Sequence, residues 1–83
     1  MTEIREEMLL LRKALKMTQQ QLSNHLGVTL NTVARWETVR TPRQNDLKRL
    51  EELALDRGLL TLAECFGRAR VSALRWSKMH GQD

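Results

Sequence analysis

Asn31 and Arg35 stand four residues apart, and both side chains make paired hydrogen bonds. The amide of Asn31 sets a donor beside an acceptor, which matches the edge of adenine. The guanidinium of Arg35 sets two donors side by side, which matches the two acceptors of guanine. Leu30 offers an apolar surface for a thymine methyl, and Thr32 offers a hydroxyl. A second group suits an anion. Thr18 and Gln19 open a helix, where backbone N–H groups and the dipole favour negative charge. Arg40 and Arg43 add positive charge nearby in sequence, Arg43 again at a helix start. Other chemistries find no support. His25 has no second histidine, cysteine or carboxylate at ligand spacing, so neither a metal nor another cofactor is expected. No Gly-rich phosphate loop, acid–base dyad or nucleophile with its base is recognisable, so an enzyme is not expected.

The elements that must position these residues read as helices throughout. Ile4, Met8, Leu11 and Leu15 form a helical stripe, which Leu9 and Leu10 widen. A second helix opens at Thr18, with Gln21 completing a capping box, and ends at Gly27. Leu22 and Leu26 form its buried edge. A third starts after Thr29 as N-cap and runs to about Glu37 or Thr38, with Val33 and Trp36 on one face. That leaves Leu30, Asn31, Thr32 and Arg35 on the others. Two short helices joined so tightly present one of them on a convex surface, of the kind a DNA major groove accepts.

A fourth helix is signalled by Thr41 as N-cap, Pro42 at the first helical position and Gln44 as box partner. Leu47, Leu50, Leu53 and Ala54 make its inner face, and Gly58 breaks it. A fifth starts at Thr61 with Glu64 as box partner. Its apolar positions 62, 66, 69, 73 and 76 keep a heptad-like spacing. Gly67 either sits inside this helix or hinges two shorter ones. The tail from His80 is expected to fray. Shifted by forty residues, Leu22, Gly27, Arg35 and Trp36 meet Leu62, Gly67, Arg75 and Trp76, which raises the prospect of a second, degenerate helix pair.

Composition agrees with a small basic module. The chain has 83 residues and a formal net charge of +4, with a pI near 10.0. Between Leu30 and Leu50 there are five Arg and Lys against two acids, so one end should be positive. A single cysteine excludes an intrachain disulfide and a cysteine-pair zinc site. Cys65 reads as a small buried hydrophobe and the methionines as core filler. The charged N-terminus is not expected to act as a signal peptide, and no membrane span is expected.

Leu11-Arg12, Thr18-Gln19, Leu22, Leu26-Gly27-Val28, Val33, Trp36-Glu37 and Leu47 to Leu50 together resemble the helix-turn-helix family of phage repressors and Cro proteins. The resemblance implies an all-α fold, a compact bundle of about five helices with a central helix-turn-helix. It implies a sequence-specific regulator of transcription that binds double-stranded DNA, usually as a homodimer. Positions 30, 31 and 35 become base-facing, with Thr32 beside them, and Thr18, Gln19, Arg40 and Arg43 phosphate-facing. Arg12 and Glu37 resemble a buried ion pair tying helix one to the end of helix three, and Trp36 belongs to the core. The protein would be cytoplasmic, encoded by a bacterium or a phage. Val39 stands where the family commonly has glycine, which leaves the end of helix three and the aim of Arg40 open. Residues 1–57 then form the DNA-binding domain, and 58–83 an extension that packs on it or dimerises. A DNA-binding antitoxin, with that extension contacting a toxin protein, is the second reading. An adaptor that kept the fold without binding DNA is the third.

Overall fold

The computed structural model describes residues 4–80, with side chains for residues 4–74. It is all-α, with five helices and no strand among the described residues. They are α1 (Ile4–Leu15), α2 (Gln19–Leu26), α3 (Leu30–Trp36), α4 (Gln44–Asp56) and α5 (Leu60–His80). The chain divides into two compact units, Met1–Thr41 and Pro42–Asp83. No helix among the described residues is long and apolar enough to cross a membrane.

In the first unit α3 packs on α2 and on α1. Met8, Leu11, Leu22, Leu26, Val33 and Trp36 are buried. The α1 stripe is narrower than its sequence implies, because Leu9 and Leu10 are 46% and 51% exposed. Both turn away from the face that Met8 and Leu11 bury. Three chain reversals then set the unit's geometry. α1 closes with Met17 N–H donating to Arg12 carbonyl at 3.0 Å, and Lys16 takes a left-handed φ of 57°. That conformation is usually left to glycine. α2 opens on the expected capping box, with Thr18 and Gln21 exchanging side-chain and backbone hydrogen bonds. It closes on Gly27 at φ 73°, where Val28 N–H reaches Ser23 carbonyl at 3.0 Å.

In the second unit α4 and α5 form an antiparallel hairpin. Glu51 of α4 meets both Gly67 and Arg70 of α5, a pairing that requires the chain to fold back near Gly58. Gly58 supplies the reversal with a φ of 73°. Leu47, Leu50, Leu53, Ala54, Ala63 and Phe66 are buried.

Four expectations are corrected here. α4 does not begin at Thr41 with Pro42 in its first position. Its N-cap is Arg43, in extended backbone and with no side-chain cap bond. Thr41 precedes a proline, which disfavours helical geometry, and Pro42 is itself buried. Pro42 and Leu47 thereby take the N′ and N4 positions of a hydrophobic staple. α5 begins at Leu60, so Thr61 lies inside it, and Glu64 pairs with Arg68 instead. α5 is continuous through Gly67. That removes both the hinge and the second helix-turn-helix, because the echo of Gly27 falls within a helix. The echo's Arg75 and Trp76, like Trp76 of the apolar seam, lie outside the residues whose side chains are described. The fourth correction is Cys65, which is half-buried rather than buried.

The space beside Gly67 is taken up by a side chain of α4. A Cβ there would lie 2.7 Å from Glu51 Oε2. The carboxylate of Glu51 occupies that space and accepts from Arg70 Nε at 3.0 Å.

Candidate nucleic-acid interface

α3 is short, and its local chemistry fixes which residues it presents. Thr29 caps it, its hydroxyl accepting from Thr32 N–H at 3.2 Å. The two hydroxyls of Thr29 and Thr32 also lie 2.8 Å apart. Thr32 is therefore half-buried and tied to the start of the helix. Val33 and Trp36, three apart, are buried. Leu30, Asn31 and Arg35 are exposed, Leu30 at 42%. α3 thus exposes one apolar side chain, one amide and one guanidinium.

The end of α3 answers the question raised by Val39. No left-handed residue closes this helix. Glu37 is its C-cap in right-handed geometry. The carbonyl of Arg35 instead collects N–H donors from Thr38, Val39 and Arg40 at 3.1, 2.9 and 2.9 Å. Thr38 Oγ1 donates to Ala34 carbonyl at 3.0 Å, and Arg5 Nη1 holds Thr38 carbonyl at 3.1 Å. Glycine is dispensable because the turn never enters the left-handed region. Val39 itself is 84% exposed.

Glu37 is the anchor of the first unit. Its side chain is 4% exposed. It accepts from Arg12 Nε at 2.5 Å and Arg12 Nη2 at 2.9 Å. Gln19 Nε2 donates to it at 2.9 Å. Arg12 Nη1 also donates to Met17 carbonyl at 3.2 Å, just before the α2 cap. The hydrogen bond to Glu37 pushes the Arg12 pKa further above its ordinary range, against desolvation, so the guanidinium stays charged.

A helix-turn-helix family model matches residues 8–53, more than half of the chain. The chain belongs to the helix-turn-helix family. Its members of the Cro and lambda-repressor type are DNA-binding regulators of transcription. Neither the comparison with curated proteins nor that with solved structures finds a match.

In helix-turn-helix terms, α2 and α3 are the paired helices, and α3 exposes Leu30, Asn31 and Arg35. The charges between Leu30 and Leu50 are unevenly paired. Of the two acids between Leu30 and Leu50, Glu37 is paired with Arg12 and Asp46 with Arg49. Arg35, Arg40 and Arg43 are exposed. None of these three has an acidic partner among the described residues. Thr18 is exposed, and its hydroxyl accepts in the capping box, which leaves its O–H as a donor. Gln19 is half-buried against Glu37. Arg43 belongs to the second unit, at the start of α4. Sequence reasoning missed the bond between Gln19 and Glu37 and the bond from Arg5 to Thr38. Both join residues far apart in the chain, and neither has a periodic signal.

Proposed function

We propose that this helix-turn-helix protein is a sequence-specific transcriptional repressor that inserts α3 into the DNA major groove. The observation that carries this reading is the division of α3. Val33 and Trp36 are buried, while Leu30, Asn31 and Arg35 face solvent. Asn31 pairs with adenine, Arg35 with guanine, and Leu30 packs on a thymine methyl. Thr32, tied to Thr29, sits at the margin of this surface. Thr18, Gln19, Arg40 and Arg43 hold phosphates, which set register and affinity without reading sequence.

The protein acts as a homodimer. Two copies of α3 then reach successive major grooves about 34 Å apart on a pseudo-palindrome. Selection of bound sequences from a random duplex pool is the test. A two-fold-symmetric consensus is the expected result. A pool with no enrichment after several rounds rejects sequence-specific binding, and an asymmetric single half-site rejects the dimer.

A further inference from the structure

We infer that Glu37, buried and paired with Arg12, is a positioning residue for DNA: it orients the Gln19 amide toward a phosphate. The inference rests on the DNA-binding reading above and assigns Glu37 a part in it. A carboxylate only accepts hydrogen bonds, so Gln19 must turn its nitrogen, not its oxygen, toward Glu37. One amide hydrogen is thereby fixed on Glu37 Oε1 at 2.9 Å. The amide is planar, so fixing one N–H fixes the direction of the other. Gln19 makes no other side-chain bond among the described residues, and the second N–H is the donor left for an anion.

Its place in the fold matches that use. Gln19 is the first residue of α2, directly after the Thr18 cap. The positive end of the α2 dipole and the orphan N–H groups there favour the same anion. Arg12 makes the arrangement tolerable near DNA. An unpaired carboxylate at this point would repel phosphate, but Glu37 is neutralised by two guanidinium bonds. Arg12 also grips Met17 carbonyl, so one guanidinium sets both the start of α2 and the carboxylate that orients Gln19. Because Gln19 is locked to Glu37 and not to a residue of the exposed α3 face, its contact is indifferent to base sequence.

Ethylation interference on a selected duplex tests this with the full chain. Wild-type protein should show a phosphate whose ethylation blocks binding and whose signal vanishes in Gln19→Ala. Affinity for all duplexes should fall about tenfold in that variant. Glu37→Asp keeps the negative charge but draws the carboxylate one methylene back from Gln19, and equally from Arg12. It should weaken interference at that same phosphate and leave the others, with the consensus sequence unchanged. Glu37→Gln provides a second measurement. Its effect on affinity should be much smaller in the Gln19→Ala background than alone. Full interference at that phosphate in Glu37→Asp, or multiplicative effects of the Gln19 and Glu37 changes, overturns the inference. A wild-type chain with no footprint at all overturns the DNA-binding reading itself.

Discussion

Arg12 and Glu37, 25 residues apart, meet through two parallel hydrogen bonds of 2.5 and 2.9 Å. The pair fastens the C-cap of α3 to α1. Its carboxylate is almost wholly buried, whereas its guanidinium keeps 22% of its side chain in contact with solvent. Removing one partner therefore differs from removing both. Arg12→Met should destabilise by about 2–3 kcal/mol, less than the roughly 3–5 expected of a fully buried pair. Changing both Arg12 and Glu37 to methionine should recover most of that loss. Urea denaturation of the two variants checks it, and equal losses in both would refute the account.

Lys16 holds a left-handed φ of 57° that costs an L-residue about 1–2 kcal/mol. Lys16→Gly removes that strain but adds chain entropy to the unfolded state. The net expectation is a gain of about 0.5–1 kcal/mol. Thermal unfolding should show a higher midpoint, and a lower one would mean that the lysine side chain contributes in some other way.

Gly67→Ala brings two opposed terms. Alanine gains about 1 kcal/mol of helix propensity. Its Cβ displaces the end of the flexible Glu51 side chain from Arg70, a half-exposed pair worth under about 1 kcal/mol. Stability should change by less than about 1 kcal/mol. Glu51→Gln should then cost nothing further in the Gly67→Ala background, although it costs something alone. Additive effects would show that Cβ and carboxylate do not compete.

Thr18 closes both halves of its capping box. Thr18→Ala should lower stability by about 1 kcal/mol. The N-cap of α4 makes no side-chain bond, so Arg43→Ala should leave unfolding within about 0.5 kcal/mol of wild type. Circular dichroism melts of the two proteins distinguish these outcomes directly.

The exposed arginines should separate on DNA. Arg35→Ala should cost about 1–3 kcal/mol on the selected site and relax preference at one base position. Arg43→Ala should weaken every duplex alike and reduce the salt slope by about one. Gel-shift titrations over a range of salt concentrations read both. A uniform loss for Arg35 would move it from base reading to phosphate holding.

What the sequence determined by itself was local. The α2 cap, the Gly27 and Gly58 reversals and the burial of Val33 and Trp36 follow from residue type and helical spacing, which act over a few neighbours. The family pattern carried the pair between Arg12 and Glu37 across the turn. Tertiary structure alone decided the remainder. Pro42 is compatible with a helix start or with the extended chain before one, and the choice appears only once Pro42 is buried and Arg43 becomes the cap. Gly67 fits a hinge or a helix equally well, until α5 runs through it unbroken with the Glu51 carboxylate of α4 lying where a Cβ would point. Gln19 reads as a solvated helix start until Glu37, eighteen residues on, takes its amide. Each of these depends on what another segment brings into contact, and spacing along one chain does not encode that.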